Sequence, residues 1–296
     1  MAEEIVSLGF QHVELSHGIR LALVPGILRA VDEGLVTITS THNFCPLPTG
    51  TDHAAPNLFQ PSATGLQELE QWQIHTRRSL DFAARVKARV LVCHLGSVDF
   101  FWFHPARAVD RYLHIHPGAG RNSADLRFRA VLDKAVARLR RRQPPFWARV
   151  RASVAAVVAY AQEKKVKLGF ENRERFDELP FDSDFAGWLS EFAPGAPVGY
   201  WHDTGHAEIK EAMGLLDQQN QLRTLAPHTL GFHLHDVDEN GRDHQAIGNG
   251  HIDFAMVSQF WRPEHLLTIE LSPRVSYDEV QASKRRVESI IPEFPS

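Results

Sequence analysis

The sequence predicts an α/β fold of the TIM (β/α) barrel type, and two observations carry that expectation. Seven short β-branched or apolar runs alternate with longer amphipathic stretches, the order that gives parallel strands crossed over by helices. Six of the seven runs end in a side chain able to bind a metal or move a proton, and a closed parallel barrel gathers its strand ends at one mouth, where its chemistry sits. An open doubly wound sheet would instead carry a glycine-rich phosphate turn after its first strand. No GxGxxG or Walker-type pattern occurs, and the pairs Gly118/Gly120 and Gly248/Gly250 lack the strand-turn-helix setting.

Taken in order, the runs are QHVELSHG (11–18), LVTITSTHN (35–43), RVLVCHLGS (89–97), KLGFENR (167–173), VGYWHDTGH (198–206), TLGFHLHDV (229–237) and LLTIELSP (266–273). Their polar ends are His42, His94, Glu171, Asp203, His233 and Glu270. Between them, residues 66–88 and 146–165 space their apolar positions three and four apart, as amphipathic helices do. The chain opens where the first helix of a barrel belongs, so the first strand is expected to be missing, replaced or encoded ahead of Met1. The stretch from Asp99 to Pro145 is about three times the usual connection and is expected to be an inserted loop and helix over the mouth. Residues 1–296 are assigned to one barrel domain.

Composition narrows the function classes. With 296 residues and 43% apolar content the chain can bury a large core, which excludes a peptide, a disordered tail and a disulfide mini-protein. A net charge of -4 provides no overall field to gather nucleic acid. A polyanion site would have to be local, and Arg127 to Arg151, with nine Lys or Arg against one Asp, is the candidate segment. Two cysteines, Cys45 and Cys93, build no disulfide framework, no apolar run is long enough for a membrane span, and the N-terminus lacks a signal-peptide pattern, so the expectation is cytoplasmic. Seventeen histidines are two to three times the usual share, which directs attention to metal or acid-base chemistry.

A borderline divalent ion takes mixed oxygen and nitrogen donors and keeps positions open for substrate. Glu171, Asp203, His233 and Glu270, one from each of four successive strands, supply that set. Around them, Trp201 with Trp102, Trp147, Phe100, Phe101 and Phe103 is expected to form an apolar wall. Arg173 and Arg175 follow Glu171 on the mouth side, where they are expected to clamp a carboxylate or phosphate.

Five motifs together, Glu171-Asn172, DTGHA (203–207), HLHD (233–236), DH…GNGHIDF (243–254) and IELSP (269–273), resemble the xylose isomerase-like TIM barrels. That superfamily holds sugar isomerases and epimerases, inosose dehydratases and apurinic endonucleases of the endonuclease IV type. The resemblance runs from Gly9 to Glu279 apart from the insertion, and implies that Glu171, Asp203, His233 and Glu270 hold manganese, cobalt, magnesium or zinc. In the isomerase and epimerase branch Glu171 and Glu270 would also be the two bases that move a proton beside a carbonyl, through an enediolate. His206, His235 and Arg242 would contact the substrate, a small carbohydrate-like molecule. Either position of the His233/His235 pair serves as ligand in such sequences, and the acid three residues after His233 favours His233. In the endonuclease branch His42 and His94 would join a second ion and His206 and His244 a third. There an Asp is expected where this chain has Arg242, with Asp243 adjacent. A lyase acting on a keto-inositol-like ring would use the same ligands. Members are often dimers or tetramers, so the resemblance also implies a homo-oligomer, whereas membrane and nucleic-acid partners are not expected.

Overall fold

Strand residues that alternate between two apolar environments build the sheet. In the computed structural model, which describes residues 2–116, 118–121 and 125–291, the strands are β1 (His12–Leu15), β2 (Thr37–His42), β3 (Val90–Cys93), β4 (Lys167–Glu171), β5 (Val198–Asp203), β6 (Thr229–Leu234) and β7 (Leu266–Ile269). All neighbouring pairs are parallel, in the order β1 to β7. The helices are α1 (Ala2–Ser7), α2 (Val24–Asp32), α3 (Leu66–Arg85), α4 (Pro105–Ile115), α5 (Leu126–Lys164), α6 (Phe185–Leu189), α7 (Thr204–Ala212), α8 (Gln218–Leu225), α9 (Phe254–Ser258) and α10 (Tyr277–Ile290). None of the described helices is long and apolar enough to cross a membrane.

The seven expected strands are all present, and the first described element is a helix. The barrel is nearly closed: β1 and β7 are the two edges of the sheet. A cavity of about 740 Å³, lined by Phe10, Val13, Leu267 and Ile269 among others, lies between them. This seam leaves most of β7 half-buried, whereas β3 is buried throughout.

Strand periodicity sets which residues face the barrel axis. Leu91, Cys93, Leu168, Phe170 and Tyr200 point outward into the core shared with α3 and α5, and Phe232 and Leu234 join a second cluster beneath α9 and α10. Val90, Val92, Trp201 and Leu266 point inward and fill the barrel. Trp201 is fully buried, and the glycines of KLGFE and TLGF exist because of it. A Cβ at Gly169 would lie 3.3 Å from its indole and one at Gly231 2.6 Å.

Two expectations about the insertion need correction. The amphipathic segment does not start at Phe146: α5 runs unbroken for 39 residues from Leu126, with Pro144 and Pro145 inside it. An interior proline costs roughly 3 kcal/mol of helix stability. Here tertiary contacts on both sides offset that cost: Leu139, Phe146 and Val150 are buried in the main core, and the Arg140 guanidinium grips Asp184 at 2.7 Å. Asp125 caps the start, accepting from the Arg127 and Phe128 amides, and Lys165 in the left-handed region ends the helix. The first half of α5 packs with α4 in a satellite cluster around Val109, Phe128 and Leu132, against Phe176 beyond β4 and Met213 and Leu215 beyond α7.

The basic segment is the second correction. Arg129 donates to the Met213 and Gly214 carbonyls, Arg138 to that of Phe103, Arg142 to that of Asp99 and Arg149 to that of Ser62. Arg140 and Arg151 pair with Asp184 and Glu191. These arginines tie loops to the helix, because a guanidinium offers five donors in a fixed fork, and they do not form a free polyanion face.

Removing the indole that plugs the barrel should be among the costliest single changes. Trp201→Ala is expected to lose about 3–5 kcal/mol, read from urea unfolding, and Gly231→Ala about 1–3 kcal/mol through overpacking.

Candidate active site and metal centre

The strand ends meet at the mouth as their spacing anticipates. Around Nδ1 of His233 stand Glu171 Oε1 at 2.9 Å, Glu270 Oε2 at 3.0 Å and Asp203 Oδ2 at 3.8 Å. Glu171, Asp203 and His233 are buried, while Glu270, one residue beyond β7, keeps 29% of its side chain exposed. Burial opposes charge on His233, yet the carboxylates of Glu270, Glu14 and Glu171 push its imidazole well above the ordinary value. Burial also opposes charge on Glu171. The Arg173 guanidinium and bonds from His233, His42 and His94 nevertheless hold it well below the usual carboxylate range.

The sequence analysis missed Glu14. On β1, the one run without an expected ligand, its Oε1 lies 2.8 Å from His233 Nε2 and its Oε2 accepts from Ser40 Oγ at 2.6 Å. Because a carboxylate only accepts, Nε2 carries the hydrogen, and Nδ1 is turned toward the three acids. A signal existed: Glu14 is the acidic residue within the short run HVEL, and its neighbours on β2 end in the inward-facing Ser40 and His42.

Asp203 is fixed at both oxygens. It is the N-cap of α7: Oδ1 accepts from the His206 amide at 2.8 Å, which also sets the helix start. Oδ2 lies 3.0 Å from His235 Nε2, and His235 Nδ1 accepts from the His244 amide at 2.8 Å. The imidazole therefore donates from Nε2 to Asp203. His235 is fully buried and orients Asp203 instead of meeting substrate, which corrects its expected role. Gly205 of DTGHA is explained by the same ring, since a Cβ there would lie 2.2 Å from His235 Cε1. Asn172 locks β4 to β5, donating to the Asp203 carbonyl at 2.9 Å and accepting from its amide at 2.7 Å.

Two further groupings surround this centre. His42, His94 and Glu171 form one, and Glu174, His206 and Asp243 the other, each with one ligand atom per residue within 4.8 Å of the rest. His42 donates from Nδ1 to the Asn43 carbonyl at 3.0 Å, and its Nε2 lies 3.7 Å from Glu171 Oε2. His94 Nε2 lies 2.8 Å from the same oxygen. His206 donates from Nδ1 to the Asn172 carbonyl at 3.0 Å, so its Nε2 is turned toward Asp243 at 3.7 Å. Asp243 gets there because residues 236–245 fold back as a hairpin joined by the Asp236 and Gln245 backbones. His244 sits in that hairpin at φ 55°, stacked on His235 at 4.2 Å between ring centres. Although burial opposes its charge, bonds to Asp243 and Glu270 push it up to about 11. Asp236 of HLHD is structural: it accepts from the Val237, Gly248 and Ile252 amides and so holds the GNGHI loop.

Other expected site residues lie elsewhere. Trp201 is beneath the site, its ring edge-on to His233 at 5.2 Å, because it falls two residues before Asp203 on the same inward face. Trp147 packs on Trp188 in the helix layer, and Phe101, Trp102 and Phe103 are exposed, so the aromatic wall does not assemble. Arg242 is exposed in a turn whose backbone bonds to Asp238, away from the expected substrate contact, since the hairpin turns its neighbour Asp243 inward instead. Arg173 bonds Glu171 Oε2 at 2.7 Å and Glu178 at 3.2 Å, and Arg175 bonds Asp177 at 3.0 Å, so both guanidiniums are already paired with acids of the protein.

Fold and site together define a parallel barrel with an acid-rich, imidazole-rich centre at its mouth. Residues 2–270 match the model of the xylose isomerase-like TIM barrel, and the chain belongs to that family. By sequence, no curated protein matches it. Among solved structures it is similar to a putative xylose isomerase from Rhodospirillum rubrum, with 17% identity and a TM-score of 0.68 over 98% of this chain and 93% of that one. A 3-keto-D-glucoside 4-epimerase from E. coli superposes with a TM-score of 0.66 at 14% identity, covering 97% and 92%. A D-psicose 3-epimerase from Clostridium cellulolyticum gives 0.65 at 12%, covering 98% and 92%.

Outer partners of a metal-binding histidine tune affinity by roughly 10–100-fold. Glu14→Ala should weaken divalent-ion binding by about that factor in calorimetric titration. Ser40→Ala, which leaves the carboxylate in place, should have the smaller effect.

Proposed function

We propose that the protein is a divalent-metal-dependent isomerase or epimerase that moves a proton beside a carbonyl of a small polyhydroxylated substrate. The observation that carries this reading is the ring of three carboxylates around one imidazole nitrogen. The three carboxylates repel one another unless a positive charge stands at their centre, which His233 supplies as an imidazolium and a bound divalent ion would supply in its place. Their spacings of 2.9, 3.0 and 3.8 Å compare with about 3.0–3.4 Å between donors bonded at ordinary divalent-metal distances. Glu171, Asp203, His233 and Glu270 would hold manganese, cobalt, magnesium or zinc. Such an ion supplies Lewis acidity, which acidifies the hydrogen next to a bound carbonyl.

The chain's own groups do the rest. Glu171 and Glu270 approach His233 Nδ1 from two strands, so one carboxylate takes the proton and the other returns it. A carboxylate is a weak base, adequate once the carbon acid has been acidified. His42 and His206 line the mouth with Nε2 atoms suited to hydroxyl groups. The names of the similar epimerase structures agree with a carbohydrate substrate. The reading treats residues 1–296 as one cytoplasmic catalytic unit that assembles as a homo-oligomer.

A second reading is favoured by the two flanking groupings, His42/His94/Glu171 and Glu174/His206/Asp243: a multinuclear phosphodiesterase with two or three ions. The pairing of the α5 arginines with carbonyls and carboxylates speaks against a nucleic-acid substrate. A lyase removing water from a keto-inositol-like ring would use the first reading's ligands and differs only in its leaving group.

Three measurements test the proposal. Metal analysis of protein purified without chelator should give about one ion per chain, and incubation with keto-sugars in deuterium oxide should incorporate solvent deuterium at the carbon beside the carbonyl. Glu171→Gln should remain folded, bind metal more weakly and abolish that exchange; full retained turnover excludes the mechanism. His233, whose raised pKa keeps it protonated at neutral pH, must release a proton when an ion binds at Nδ1. Metal affinity should therefore fall as pH falls, and titration calorimetry in buffers of different protonation enthalpy should register about one proton released.

A further inference from the structure

Glu171 divides its two oxygens between two environments. Oε1 faces His233 at 2.9 Å and the central donor set. Oε2 faces the flanking imidazoles, His94 Nε2 at 2.8 Å and His42 Nε2 at 3.7 Å, a combination of nitrogen and oxygen donors suited to a borderline divalent ion. The same oxygen already bonds a cation, since Arg173 Nη1 lies 2.7 Å from it.

Arg173 is built into this position. It follows Glu171 by two residues at the end of β4, so both project to the mouth side of the same chain segment. Only 13% of its side chain is exposed. Its Nε bonds Glu178 Oε1 at 3.2 Å, and Glu178 Oε2 in turn accepts from the Arg175 amide at 3.3 Å. A guanidinium does not give up its proton at accessible pH. Unlike a lysine or histidine, it cannot become neutral to admit a metal, and a dication bound to Oε2 would sit beside a permanent positive charge at short range.

We propose that Arg173 is a resident cation that keeps the His42, His94 and Glu171 grouping free of metal. The inference rests on the metal-dependent reading above and extends it to the number of ions and to what the imidazoles do. Left unmetallated, His42 keeps Nε2, 3.7 Å from Glu171 Oε2, for a substrate hydroxyl, while His94 is held at Nδ1 by Asn57 and at Nε2 by Glu171. His17 stands beside them, its ring 4.8 Å from that of His42 and 6.4 Å from that of His94, with a buried Nδ1 that has no hydrogen-bond partner. His42 and His17 together offer a hydrogen-bonding surface to a polyol, and Arg173 decides that this wall serves substrate instead of a second ion.

The test compares metal stoichiometry in the full chain and its variants after loading with cobalt(II), by elemental analysis and by the visible absorption of the bound ion. The wild type should hold about one ion, Arg173→Met about two, and Arg173→Met with His42→Ala about one again. Because Arg173→Met leaves Glu178 without its partner, Arg173→Met with Glu178→Gln is prepared in parallel to restore the charge balance, and folding is checked by thermal denaturation. A wild type that already binds two ions with Arg173 in place overturns the inference. So does a folded Arg173→Met protein, with or without Glu178→Gln, that stays at one ion, and in that outcome the four-donor reading stands. A wild type that binds no ion overturns the metal-dependent reading itself and the inference with it.

Discussion

Negative charge buried at the barrel mouth is the constraint that the rest of the site answers. Glu171 and Asp203 are almost wholly removed from solvent, Glu270 stands beside them, and Glu14 approaches from below. Isolated buried carboxylates are costly, and removing one partner of a buried pair typically costs about 3–5 kcal/mol. Each acid is accordingly matched. His233 lies between Glu14 and the three acids of the centre, Asp203 has the α7 amide and His235, and Glu171 Oε2 has Arg173. A site so arranged is strongly polarised before any substrate arrives, which is the condition for stabilising charge that moves during a reaction.

Precision at the mouth depends on what lies one layer lower. Trp201 fills the barrel axis and supports the His233 ring edge-on, and Gly169 and Gly231 leave room for its indole. The imidazoles at the mouth are then held by the layer behind them: the Asn43 carbonyl for His42 and the Asn172 carbonyl for His206, while the Thr204 hydroxyl bonds the His233 and His235 carbonyls. Rotation of the His42 or His206 ring would break its bond to the backbone behind it, and rotation of the His233 ring its bond to Glu14, so ring orientation is a property of the packed barrel.

The long connection after β3 follows a different logic. Its aromatic run ends exposed, while its arginines turn back to bond carbonyls and acids of the barrel loops. A stretch that reads as a positive run in one dimension thereby spends much of its hydrogen-bonding capacity within the fold, with Arg140 and Arg151 paired to acids and Arg129, Arg138, Arg142 and Arg149 bonded to carbonyls.

The sequence by itself determined the strand number, the parallel order and the inward-facing ends at His42, Glu171, Asp203 and His233. Period-two alternation and the position of a polar residue after an apolar run are local properties that survive folding unchanged. The inward position of His233 was legible from the strand pattern, and Asp236, the acid three residues on, holds the next loop. Tertiary structure decided the rest. Glu14 became part of the site only when β1 met β6 across the barrel axis, and Trp201 was assigned to its floor by pleat direction. The hairpin after β6 turned Asp243 inward and Arg242 outward, and α5 continued through two prolines because packing on either side outweighed the lost backbone bonds. The Glu14 contact and the continuity of α5 depend on residues far apart in the chain, and the partner of a buried charge is known only once the strands have closed around it.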